Sequence, residues 1–265
     1  MRIMACGKLP FIFAESQEYW KKMMPAVAGA PFTYACLKPA MGLKQDEEVD
    51  PVINEQLSSN RAFQEMRKSA LQRLTQKDPE EIMQKTGITL DRSQDKFSLS
   101  SLGQSIQIRY PEFEITPALD EWHHLIILHY MDMADGSALS GQLMNFGDLP
   151  GGLARGAGFD RQSERDLSLR MGNRSWKDVE QACRALGGIL VDSNADISAV
   201  FSLFPRYPIT LKLWFADEEI PGSGRLLLDR SASHYLSMED AVTAGSLLLE
   251  ALFRKLDSLC LNGVQ

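Results

Sequence analysis

Apolar positions along the chain switch repeatedly between helical and strand spacing, and the switches divide it into parts. A short helix is expected from Glu15 to Met24, carrying Tyr19 and Trp20 and stopped by Pro25. From Pro51 to about Thr75, residues Val52, Ile53, Leu57, Phe63, Met66, Ala70, Leu71 and Leu74 share one broad stripe of a helix. Asp78-Pro79-Glu80-Glu81 opens a brief helix that Gly87 ends: Asp caps, Pro suits the first turn, and the acids favour the dipole. Phe97 and Leu99 then alternate with serines, Leu102-Gly103 makes a turn, and Ile106, Ile108 and Tyr110 alternate with polar residues, which is a hairpin closed by Pro111 and Pro117.

The clearest helix runs from about Leu119 to Met133, with Trp122, Leu125, Ile126, His129 and Met133 on one apolar face and Asp135-Gly136 ending it. A glycine-rich stretch, Phe146 to Gly158, leads into a helix through Arg170. Ser175 with Asp178 resembles a capping box and opens a helix to Leu186, which Gly187-Gly188 terminates. A meander follows. Ile197, Ala199, Phe201 and Leu203 alternate along one strand, Pro205 to Pro208 turns the chain, and Ile209, Leu211, Leu213 and Phe215 alternate on the next. Arg225 to Asp229 is a third strand, and Ser237 with Asp240 caps a last helix to about Leu259. This order predicts an α+β fold with an antiparallel β-meander packed with helices and a helical N-terminal part. Residues 1–50 are expected as a helical and loop extension and 51–265 as one α+β core, with the early hairpin either joining the meander or standing apart.

Composition narrows the function classes. Hydrophobic residues make up 44% of the 265 and charged residues 24%, an ordinary globular balance. The net charge of -7 and pI near 5.2 oppose nonspecific attraction to nucleic acid or anionic lipid. No window approaches the roughly 18 apolar residues of a membrane span, and Phe11 to Ala14 is too short for a signal-peptide core, so the expected location is the cytoplasm. Cys6, Cys36, Cys183 and Cys260 are scattered without a C-x-x-C pair, which leaves zinc and iron–sulfur ligation unsupported and reduced structural thiols expected.

The candidate chemistry is thin. Gly151, Gly152, Gly156 and Gly158 invite a phosphate-loop reading, since amides at a helix start attract anions, but the spacing fits neither dinucleotide-binding nor Walker patterns. His123, His124 and His129 share a helix, yet His124 and His129 diverge by roughly 140° and cannot hold one metal together. His129 is expected as a hydrogen-bonded core residue, and His123 and His124 as solvent-facing or partly covered. No serine stands in G-x-S-x-G.

The meander offers the best constellation. Its topology brings Arg206, Asp229, His234 and Glu239 towards one end, where they could form an anion clamp, an acid/base pair or a partial metal site, or simply a salt-bridge network. At the other end Asp192, Asp196, Asp217, Glu218 and Glu219 could gather around a hard cation or form a solvated acidic rim.

Several segments in order resemble a bacterial and archaeal domain-of-unknown-function family, numbered thirty-seven eighty-six and frequent in anaerobes. They are Leu128-His129-Tyr130 with Ala134-Asp135-Gly136, Asp148 to Gly152, Phe204 to Pro208, Leu213-Trp214 with Asp217-Glu218-Glu219, and Leu228-Asp229 followed by Ser231 to Asp240. The likeness spans about residues 55 to 255. It implies no established activity. Fusions to iron–sulfur modules within the family imply a redox setting, in which this chain, lacking the cysteine motif, would act beside such a centre in a partner protein.

Three readings follow. One is an accessory or small-ligand or cofactor-binding protein of anaerobic metabolism, with Gly151, Gly152, His129, Arg206 and the His234 segment about a pocket. The second is an enzyme using His234, supported by Asp229 and Glu239, as acid/base, with Arg206 holding an anionic substrate. The third is a structural subunit docking to a redox protein. No cofactor is identified by the residues themselves.

Overall fold

The computed structural model describes residues 61–262, in an α+β arrangement of helices and antiparallel sheets. The expected helix Glu15–Met24, the 50/51 boundary and the first turns of the helix from Pro51 lie outside the described residues. The chain divides into two compact units, Met1–Ser69 and Ala70–Gln265. Helix α1 (Arg61–Leu74) begins in the first and ends in the second.

Caps set the helix boundaries of the second unit. In α2 (Pro79–Thr86) the Asp78 carboxylate accepts from Glu80 N, Pro79 occupies the first turn, and Gly87 closes the helix at φ 73°. Four strands follow: β1 (Thr89–Asp91), β2 (Lys96–Ser101), β3 (Gln104–Arg109) and β4 (Glu114–Thr116), paired antiparallel in that order. The β2–β3 hairpin is the one the alternation predicts, with Phe97, Leu99, Ile106 and Ile108 buried. It stands apart from the meander as its own sheet. Pro111 does not close the unit, because the chain passes buried Phe113 and returns as β4.

Helix α3 (Glu121–Met133) departs from its expected single apolar face. Leu125, Ile126, Ile127, Leu128, Tyr130 and Met131 are all buried, while Met133 is 40% exposed. A helix apolar nearly all round is one enclosed by neighbours rather than laid on a surface. His123, expected near solvent, is buried with Nε2 2.8 Å from Ser101 Oγ. Burial pulls its pKa down to about 4, so the ring is neutral.

Tyr130 ties this helix to both flanks. Its hydroxyl donates to Thr86 O and accepts from Arg206 N at 3.1 Å, and its ring stacks on Phe204 and Tyr235. Tyr130→Phe leaves a buried carbonyl and an amide without their partner, and is expected to lower unfolding stability by about 2 kcal/mol in urea titration.

The second sheet holds the meander. Its order is β5 (Leu143–Met144), β9 (Ser223–Asp229), β8 (Tyr207–Trp214), β7 (Ile197–Phe204) and β6 (Ile189–Leu190). Between β5 and β6 run a 3-10 turn (Phe146–Asp148), α4 (Arg155–Met171) and α5 (Trp176–Ala185), the last capped by Ser175. After β9 a 3-10 turn (Arg230–His234) leads to α6 (Met238–Asn262). The Ser237 hydroxyl donates to Asp240 Oδ2 at 2.7 Å and accepts Asp240 N at 3.2 Å, as the spacing predicts.

Candidate functional site

An open cleft of about 930 Å³ lies where the segment after α3 meets the end of β9. Ser137, Ala138, Ser140 and Gln142 form one wall, and Arg230, Ser231, Ser233 and His234 form the other. The floor is apolar, with Leu143, Met144, Leu149 and Pro150, and Asp148 adds one carboxylate. These residues come together because β5 pairs with the end of β9, Leu143 opposite Asp229 and Met144 opposite Leu228.

Asp229 staples the two walls. Its carboxylate accepts from Ser140 N and Oγ at 2.9 Å each, Gly141 N at 2.7 Å, Ser231 N at 2.9 Å and Ser231 Oγ at 2.7 Å. Burial by itself would raise its pKa, but the bonds from Ser231 and Ser140 outweigh it and hold the carboxyl down at about 2. Asp229 is 4% exposed and does not line the cleft. An ionised carboxylate saturated with donors shapes a site and is poorly placed to move protons in it.

His234 stands at the rim, and its partner is neither Asp229 nor Glu239. Its Nδ1 lies 2.7 Å from Asp135 Oδ2, with both side chains 50% exposed. Asp135 also accepts Ser137 N at 2.8 Å, and bonds from Ser137 and then from His234 hold its pKa at about 2. An ionised carboxylate only accepts, so His234 Nδ1 carries the hydrogen. Nε2 then remains as the ring atom able to take or give a proton. The sequence places Asp135 at a helix end and in a segment that resembles the family, but nothing in it pairs Asp135 with His234.

The other expected site residues lie outside the cleft lining. Arg206 Nη1 donates to Gly136 O at 2.8 Å, so the guanidinium anchors the same wall one residue from Asp135. Glu239 is paired at the surface with Arg155 Nη1 at 3.5 Å. His129 Nδ1 lies 2.7 Å from Asp240 Oδ1, joining α3 to the start of α6. Each of the four has a partner of its own: Arg206 and His234 both hold the Asp135–Gly136 segment, Asp229 holds Ser140, Gly141 and Ser231, and Glu239 pairs with Arg155, and of the four His234 alone lines the cleft.

Within the glycine-rich stretch Gly152 and Gly156 are packed against backbone, whereas Gly151 is open. A Cβ on Gly152 or on Gly156 would sit 2.3 Å from Phe146 O. Asp160 accepts Phe146 N at 3.0 Å and Gly147 N at 2.8 Å, and Gly152 N donates to Leu149 O at 2.8 Å. These amides serve the fold, and the stretch reaches the cleft through Leu149 and Pro150 instead of Gly151 and Gly152.

At the far end of the meander Asp196 ties the start of β7 to Phe215 N after β8, and Asp217 forms a turn by accepting Glu219 N and Ile220 N. Among the described residues no group of three or more His, Cys, Asp or Glu side chains is placed to hold a metal ion. No helix among them is long and apolar enough to cross a membrane.

No curated protein and no solved structure matches the chain significantly. One family model does, over residues 78–251. That span corrects the extent of about 55 to 255 drawn from the sequence, since the match starts at the helix-capping Asp78. Every residue lining the cleft falls within it. With more than half of its length matched, the chain belongs to the family described as Domain of unknown function (DUF3786).

Proposed function

We propose that this is an accessory protein that binds a polar, anionic ligand in the Ser137–His234 cleft. The observation that carries the reading is the Asp229 staple. Five hydrogen bonds fix both walls before any ligand arrives, so little ordering is left to oppose binding. The hydroxyls of Ser137 and Ser233, the Arg230 guanidinium and the apolar floor supply the mixed lining typical of ligand sites. A cytoplasmic setting is part of this reading, and Cys183, a buried thiol left unpaired, accords with it. A redox or iron–sulfur protein as the partner rests on the family resemblance, and co-purification of the untagged chain from its native host, carried out without oxygen, tests it.

A second reading is favoured by the Asp135–His234 pair, whose geometry suits an acid/base role on an anionic substrate. One variant separates the two. His234 is half exposed, so His234→Ala is expected to leave thermal stability unchanged. In calorimetric titration with small dicarboxylates and phosphate esters, a binding protein loses affinity, by about tenfold for one charge-assisted bond. An enzyme instead keeps affinity and loses turnover. Absence of binding by both proteins would remove the cleft as a ligand site.

A further inference from the structure

The floor of the cleft contains an unfinished sheet edge. Arg230 N donates to Gln142 O at 2.9 Å on one side of the Leu143–Asp229 pair. In an antiparallel ladder this makes Leu143–Asp229 a non-hydrogen-bonded pair, so the N–H and C=O of Leu143 point away from β9. Neither group has a partner among the described residues, and Leu143 is 47% exposed at the cleft. A paired donor and acceptor on an open edge match the backbone of an extended peptide.

Charge favours one kind of peptide. Arg230 is exposed, and its guanidinium bonds to the neutral Gln142 side chain, at 3.2 Å, with no carboxylate within 4 Å among the described residues. Asp148, the one carboxylate of the lining, accepts from Asn145 Nδ2 at 2.8 Å. Met144 and Leu149 offer apolar surface next to the edge.

We infer that the cleft binds an extended acidic peptide segment of a partner protein, which adds to β5 as a further strand. A residue of the peptide exchanges two backbone hydrogen bonds with Leu143. Its neighbours in the strand, opposite Gln142 and Met144, project on the face that carries Arg230, so that a carboxylate there reaches the guanidinium, while the alternate apolar set shares the face of Leu143. This rests on the cleft reading above and names its ligand.

The test uses the full chain and a fluorescein-labelled octapeptide of alternating valine and glutamate, followed by anisotropy. Leu143→Pro removes the outward N–H, which the pairing with β9 does not use, together with the leucine side chain, and is expected to weaken binding about tenfold or more. The same peptide N-methylated on alternate amides should fail to bind the unaltered protein, which guards against misfolding of the variant. Arg230→Gln should weaken binding and flatten its salt dependence. Equal affinity of the methylated and unmethylated peptides, or no binding of either, overturns the proposal. If simple dicarboxylates still bind in an Arg230-dependent way, the cleft reading survives and only the peptide is lost. If they too fail, both are lost.

Discussion

Asp229→Ala is expected to destabilise the protein by about 2 to 3 kcal/mol, because it strips partners from the buried donors of Ser231 and frees the exposed Ser140–Gly141 turn at once. The loss should appear as a lower urea midpoint, with proteolysis first cutting between Ala134 and Gln142, the wall that depends on the carboxylate. The same group makes a signed prediction in acid. Its folded pKa, about 2, is depressed from an ordinary 3.8, so its contribution is complete above the ordinary value and is lost as pH falls through the folded one. The contribution is about 2 kcal/mol. The stability gap between the protein and Asp229→Asn should therefore be widest at neutral pH and should narrow between about pH 4 and pH 2. A gap independent of pH would mean that packing, and not the charge, holds the walls.

Gly156→Ala is the second large effect. The new Cβ would lie 2.3 Å from Phe146 O, 2.5 Å from Phe146 C and 2.8 Å from Gly147 N, all backbone atoms that no rotamer change can move aside. The expected cost is about 3 kcal/mol or more, seen in thermal or urea unfolding. Gly151→Ala is the control. Nothing lies within 4 Å of its Cβ, and the only penalty is the left-handed backbone at φ 78°, about 1 kcal/mol. Were the stretch an anion cradle, both changes would spare stability and abolish phosphate binding. The structure instead gives Gly152 and Gly156 to close packing on the Phe146 turn.

Local signals were legible where a side chain acts on its own neighbours. Asp78, Ser175 and Ser237 each announce a helix start within three residues, and each caps as expected. The central hairpin and the three long meander strands follow from alternation that survives burial on one face. The short strands β1, β4, β5 and β6 hold two or three residues, too few to show a period, and exist only because a longer neighbour offers them a ladder. The stripe on α3 misled for a related reason: burial from several sides admits His123 and Asp132 to the interior, where each finds a partner distant in sequence.

The site was half legible. His234 and Asp229 were singled out by position, but what each does depends on one loop remote from both. Asp135 lies 99 residues before His234, and Ser140 89 residues before Asp229. Neither pairing has a local pattern. Both arise once β5 docks beside β9, a contact of two residues that nothing in the spacing foretells.

The cleft itself is most directly tested by methyl resonances of the methionines. Met144 lies on its floor, whereas Met171 is fully buried elsewhere in the core. With 13C-methyl methionine in the full chain, titration of small dicarboxylates and the acidic octapeptide is expected to shift Met144, to leave Met171 in place, and to lose its effect in Arg230→Gln. Shifts that spare Met144, or that persist unchanged in Arg230→Gln, would contradict a ligand site in this cleft.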